Sequence, residues 1–264
     1  MKIKFLLCSL AASIMLFSAA NFANAESSNT LSNLDKIADQ SLQLAKAGKF
    51  QDSEQMMLYF SKQLTELEMK ERLFSMDEMT VLTVSYNQAL KAIESDEISA
   101  PERVRDMTAF RLVMDALNSQ YQPMWSEMES KIMTAFKGVQ DAAKKGSQDE
   151  YHYKLNTFLS QYATIQPSLK VDISPERLQK IDAKITYIDQ YRDIKSNSDQ
   201  IAELALLQTD LNNLFSLMNK DEADPSLWWV MLSTGGIIIF TLSYVGWRKY
   251  KGQNEEKRTK EGND

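Results

Sequence analysis

Cysteine, glycine, proline and histidine are all scarce in this chain of 264 residues, and each shortage excludes something. The single cysteine, Cys8, stands in an apolar run at the N-terminus. Once that run is removed, the protein has no disulfide, no thiol nucleophile and no thiolate ligand, so packing alone must stabilise it. Eight glycines and five prolines are too few for a loop-rich or all-β architecture, which needs turn residues at short intervals. With one histidine, His152, a histidine-based metal site or acid–base pair would have to recruit all its partners from distant positions. His152 instead reads as a surface or helix-edge residue between Tyr151 and Tyr153. No Gly-rich phosphate loop, G-x-S-x-G elbow or H-E-x-x-H occurs. The acidic pairs Glu66/Glu68, Asp77/Glu78 and Asp96/Glu97 lack the alternating ligands and glycine of a calcium loop. Glu66–Lys70 and Glu68–Arg72 read as i,i+4 pairs on solvated helix faces. No catalytic residue, metal ligand or cofactor site is assigned.

What is present begins at the two ends. Lys2 and Lys4 precede an apolar stretch from Phe5 to Phe17, and Ala23-Asn24-Ala25 supplies small residues at the cleavage positions. This is the pattern of a secretory signal peptide, residues 1–25, cut after Ala25 to leave Glu26 as the first mature residue. Near the other end, residues 226–247 carry no charge. About 20 apolar residues at ~1.5 Å each cross the ~30 Å hydrocarbon core, so this segment is expected to be a transmembrane helix. Arg248, Lys249 and Lys251 follow it, and Asp221, Glu222 and Asp224 precede it. Basic residues stay on the cytoplasmic side, which places 26–225 outside the cytoplasm and the tail 248–264 inside. Trp228 and Trp229 suit the outer interface, and Tyr244 and Trp247 the inner one, where Arg248 and Lys249 can reach the headgroups. Ser233, Gly236, Ser243 and Gly246 lie on one broad side of the span, a candidate helix-packing face.

The formal charge of −6 conceals an asymmetry. Lys2 and Lys4 contribute +2 and the tail another +2, which leaves −10 for the expected outer domain. Such a domain is not drawn to nucleic acid.

That domain reads as helix throughout. A helix from Thr30 to Ala47 carries Leu34, Ala38, Leu42 and Ala45 on one face and stops at Gly48. A second, from Gln51 to Leu73, carries Met57, Phe60 and Leu64. Ser75 and Glu78 form a capping box for a third, and Ser99-Ala100-Pro101-Glu102 opens a fourth. A fifth runs from Pro123 to Gly146; Ser147 and Glu150 suggest another capping box before a sixth. Gln166 to Asp172, with Pro167, reads as the longest break. Ser174-Pro175 begins a seventh helix, and Ser198 an eighth that turns Ile201, Leu204, Leu207, Leu211 and Leu214 inward. The methionines mostly fall at core spacing, as at Met57, Met107 and Met114.

The expected fold is therefore all-α: a bundle or stack of about eight antiparallel helices plus one C-terminal membrane helix. Gly48 and Gly146 lie 98 residues apart and Ser75 and Ser174 lie 99 apart, so two four-helix halves are one arrangement. Ala45-x-x-Gly48-Lys49-Phe50 also fits the turn of a tetratricopeptide-like hairpin, which leaves a hairpin stack open.

The run Asp224-Pro225-Ser226-Leu227-Trp228-Trp229-Val230-Met231, with Ser233-Thr234-Gly235-Gly236 and Tyr244-Val245-Gly246-Trp247-Arg248-Lys249-Tyr250, resembles the YpjB sporulation proteins of endospore-forming bacilli. The likeness extends to the whole layout of signal, helical domain and anchor. It implies a membrane-lodged protein associated with spore formation, and implies no activity, cofactor or catalytic residue. On these grounds the chain is expected to be a non-enzymatic, single-span protein whose helical domain is an interaction or scaffolding module for another envelope protein. A membrane-tethered sensor of a small molecule is the alternative.

Overall fold

The computed structural model describes residues 23–119, 122–192, 198–218 and 225–261. Among them are nine α-helices, one 3₁₀ turn and no strand, as the shortage of turn residues requires. Two compact units arise, one ending at Met218 and one beginning at Asn219.

The first unit opens with α1 (Ala23–Lys46), α2 (Phe50–Glu71), α3 (Met76–Glu94) and α4 (Ala100–Asn118). Helix α1 begins earlier than Thr30, so Ala23, Ala25 and Glu26 lie in its first turn; the rest of the expected signal lies outside the described residues. Each helix packs on the next and α4 returns to α1, so the four close a ring around a common core. Leu34, Ala38, Leu42, Met57, Phe60, Leu82, Met107 and Phe110 fill it. Ring closure is the neighbour order of an up-down-up-down bundle, joined by short connections that make neighbours antiparallel.

A 3₁₀ turn (Met124–Met128) leads into α5 (Glu129–Lys145), α6 (Gln148–Asp172), α7 (Pro175–Gln190) and α8 (Ser198–Met218). These repeat the closed neighbour order, α8 packing back on α5. Their core contains Trp125, Ile132, Phe136, Phe158, Ile165, Leu207, Leu211 and Phe215. The domain is thus two four-helix bundles, and closed rings take the place of a hairpin stack.

Helix α4 joins them. It packs on α1 and α3 in its own bundle and on α6 of the other. Met107, Phe110, Val113 and Met114 face the first core, while Leu112 and Ala116 belong to the second. With apolar residues on two sides its amphipathic pattern is blurred. Arg105 Nη1 also reaches Ser160 Oγ on α6 at 3.3 Å.

The punctuation is largely as expected. Gly48 (φ +74°) and Gly146 (φ +68°) take the left-handed conformation that ends α1 and α5. At Ser75 both halves of the capping box form, with Glu78 N donating to Ser75 Oγ at 3.2 Å and Ser75 N to Glu78 Oε2 at 2.8 Å. Helix α4 starts with Pro101 in its first turn, where the lost N–H has no helical partner anyway.

Three expectations fail. Gln166 to Asp172 is no break: α6 runs through Pro167 to Asp172. A proline inside a helix costs about 3 kcal/mol. Ile165 and Leu169 are fully buried in the second core and anchor the helix on both sides of it. The break falls at Ile173, in extended backbone, just before Ser174-Pro175. No capping box forms at Ser147, whose hydroxyl makes no cap bond; Glu150 instead accepts from Lys145 Nζ at 3.3 Å. Ile201 in the first turn of α8 is 42% exposed, whereas Leu204, Leu207, Leu211 and Leu214 are buried as expected.

The second unit is one helix, α9 (Pro225–Glu261), continuing unbroken past the apolar segment into the basic tail.

Candidate functional site

Three features of the described residues could do chemistry or make contacts: a charged junction between the bundles, a polar cleft, and the apolar helix α9.

The junction is built around Arg111. It sits on α4 within Ala109-Phe110-Arg111-Leu112-Val113-Met114, and packing on both sides of that helix leaves it 6% exposed. Its guanidinium forks onto Asp35 of α1, Nη1 to Oδ1 at 2.8 Å and Nη2 to Oδ2 at 3.2 Å. Asp39 Oδ1 lies 3.6 Å from Nε and Asp115 Oδ1 3.7 Å from Nη1. Asp115 Oδ2 in turn accepts the backbone N–H of Met124 at 2.6 Å. Next along the 3₁₀ turn, the fully buried Trp125 donates its indole N–H to Asp172 Oδ2 at 2.6 Å, at the end of α6. One cation thus ties α1 to α4, and two aspartates tie α4 and α6 to the turn between the bundles.

Charge is unbalanced here. Burial raises the Asp35 carboxyl above the usual range, with Asp115 and Asp39 adding to the rise and Arg111 opposing it. Burial likewise raises Asp115, against the Met124 N–H and Arg111. Asp172 is pushed up to about 6, chiefly by burial and further by Asp115, although the indole N–H favours its ionised form. These carboxylates are engaged by a guanidinium, a backbone amide and an indole, so the arrangement clamps elements together.

The cleft, of about 460 Å³, lies at the opposite end of the first bundle, lined by residues including Lys49, Phe50, Glu94, Asp96 and Arg103. Arg103 covers the Phe50 ring at 4.7 Å, donates from Nε to Ile98 O at 2.9 Å and pairs with Asp96 at 3.3 Å. Asp52, Glu54, Glu94 and Asp96 outnumber Lys49 and Arg103 around it, so its lining is acidic on balance.

His152 is half-buried and bridges two helices. Its Nε2 and the Gln148 amide approach the Arg192 carbonyl at 3.1 and 2.9 Å, fastening the end of α7 to the start of α6. No group of three or more His, Cys, Asp or Glu among the described residues is placed to hold a metal ion.

Trp229–Tyr250 within α9 is long and apolar enough to cross a membrane, and none of it is buried against protein. Trp229, Phe240, Tyr244, Trp247 and Tyr250 are all well exposed; the Trp228 side chain lies outside the described ones. A helix that is apolar all round suits surroundings as apolar as itself. Thr234 and Thr241 return their hydroxyls to the carbonyls of Val230 and Ile237 at 2.6 and 2.7 Å, so these polar groups need no water. Gly236 and Gly246 have open space where a Cβ would stand, consistent with the small-residue side they share with Ser233 and Ser243.

Reasoning from sequence passed over Arg111 and Trp125. A signal for the first exists: Asp35 and Asp39 stand four apart beside buried Leu34 and Ala38, a like-charge pair that destabilises a helix unless a cation sits nearby. Asp172 falls in the segment whose sequence suggests a break, so the sequence offers it no partner.

Comparison with known proteins adds the remaining facts. The family model described as Sporulation protein YpjB (SpoYpjB) matches residues 31–259. A protein of Bacillus subtilis (strain 168), named Uncharacterized protein YpjB, is 33% identical over 264 residues, covering 99% of each chain. No solved structure matches.

Proposed function

Starting from a chain that belongs to the YpjB family of sporulation proteins, we propose that its two-bundle domain is a non-catalytic interaction module held on the outer face of a membrane by a single span. The observation that carries this reading is α9, whose Trp229–Tyr250 stretch is long and apolar enough to cross a membrane. The cations that follow it, Arg248, Lys249 and Lys251, favour a cytoplasmic tail, and the net −10 of residues 26–247 favours a soluble outer domain over one adsorbed on anionic surfaces. The junction supports a structural role, since Arg111 forks onto Asp35 across two helices while Asp115 and Asp172 hold the turn between the bundles. Two closed bundles offer broad helical faces to a second envelope protein.

Solubilising membranes in mild detergent and recovering partners on the full chain and on a tagged α9 segment lacking the domain tests this. Partners specific to the full chain support it; identical partners for both overturn it.

The cleft beside Arg103 and Lys49 favours a second reading, a sensor that takes a small polar ligand. A thermal-shift screen of the full protein in detergent separates the two, because a ligand that binds only the folded state raises its midpoint.

A further inference from the structure

The methionines of the first bundle differ sharply in their access to solvent. Met57, Met107 and Met114 are 0% exposed, whereas Met69 is 76% and Met76 86% exposed. Outside α9, these two are the exposed methionines among the residues whose side chains are described. They flank the turn between α2 and α3, Met69 in the last turn of α2 and Met76 at the first residue of α3.

Neither thioether holds this turn together. The Arg72 N–H bonds Glu68 O at 3.3 Å, the Phe74 N–H bonds Glu68 Oε1 at 3.1 Å, and Ser75 and Glu78 cap α3. Phe74, packed against the first core, supplies an apolar contact. Backbone and carboxylate bonds thus fix the turn and leave two solvated thioether side chains, whose chemistry can change without disturbing the fold. Between residues 68 and 78, Glu68, Glu71, Asp77 and Glu78 outnumber Lys70 and Arg72, a net −2. That charge disfavours an anionic oxidant such as hypochlorite and leaves a neutral one, hydrogen peroxide, free to approach.

We propose that Met69 and Met76 form a modification site for hydrogen peroxide, oxidised to the sulfoxide before the core methionines Met57, Met107 and Met114. A sulfur lone pair attacks one peroxide oxygen, and the S–O bond forms as the O–O bond breaks. The departing hydroxide takes the proton left on the transferred oxygen and leaves as water. Sulfur gives up two electrons and peroxide gains them. The sulfoxide is returned to the thioether by reductases of the methionine sulfoxide class, so the change is reversible. Oxidation turns the two side chains flanking this turn from apolar to polar, while the shielded methionines keep the first core apolar. The site stands on the exposure and bonding of this turn and is independent of the role proposed for the domain.

The test treats the full chain in mild detergent with dilute hydrogen peroxide and follows oxygen uptake at each methionine by tandem mass spectrometry. Met69 and Met76 should each gain one oxygen at least about tenfold faster than Met57, Met107 and Met114, which react only when the bundle opens. Helical circular dichroism should stay unchanged through that fast phase, and methionine sulfoxide reductases should return both masses. In concentrated guanidinium chloride all five should react at similar rates. Equal rates in the folded protein, or slower reaction at 69 and 76, overturn the proposal. Helix loss in step with oxidation at 69 and 76 overturns it as well, because the thioethers would then be part of the fold. A lead for 69 and 76 that persists in guanidinium also overturns it, since exposure in the fold would not be its cause.

Discussion

Arg111 is the one cation on which Asp35, Asp39 and Asp115 converge among the described residues. Replacing it with leucine would leave Asp35 and Asp115 without their cation in a site where burial already disfavours their ionised forms. Removing one partner of a buried pair costs about 3 kcal/mol or more, so Arg111→Leu should show a clearly lower urea midpoint. Arg111→Lys should fall between, since it restores charge without the fork onto Asp35. Asp172 behaves differently. Its carboxyl is raised to about 6 in the folded protein, so the stability it contributes is complete below its unfolded pKa near 4 and is lost as pH rises through about 6. Asp172→Asn keeps an acceptor for the Trp125 N–H and cannot ionise. It should match the parent at pH 4 and exceed it at pH 7 by about 1 kcal/mol, discounted for partial exposure, as read from paired denaturation curves. Neither residue could be read directly from the chain. Asp35 and Asp115 look like ordinary solvated charges until α1, α4 and the 3₁₀ turn converge, and only the Asp35/Asp39 spacing hints at a cation from elsewhere.

Among the elements, helix starts and stops were the most legible feature of the sequence, because a cap is local chemistry: Gly48, Ser75, Ser99 and Gly146 each act within a few residues of themselves. Pro167 shows where local reasoning ends. Its intrinsic cost is outweighed by Ile165, Leu169 and their neighbours in the second core, a tertiary gain that no window of sequence displays. Helix α4 shows the same limit, as its two buried faces exist because two bundles flank it. Arg72 is the strained position: it ends α2 at φ +46°, the sole non-glycine with positive φ among the described residues, and its N–H bonds Glu68 O at 3.3 Å. Arg72→Gly should relieve that strain and raise stability by about 1 kcal/mol, moving the thermal midpoint up by a few degrees. Circular dichroism melts would check it.

For the whole molecule, fold class and the candidate span followed from composition and from one long apolar run. The division into two bundles was foreshadowed by the 98- and 99-residue spacing, but the choice between rings and a hairpin stack needed to know which helices touch. The orientation rests on charge asymmetry and has a direct test. Protease added to intact protoplasts should degrade the two-bundle domain and spare an epitope placed after Lys249. The reverse pattern would invert the assignment.

The double duty of α4 has a consequence for how the chain matures. Synthesis runs from the N-terminus, so α1 to α4 can close their ring before α6 exists. Leu112 and Ala116 then face water, an oily stripe on an otherwise finished half, until the later helices cover it. A chain truncated after Asn118 should therefore emerge structured yet adhesive, self-associating through that stripe.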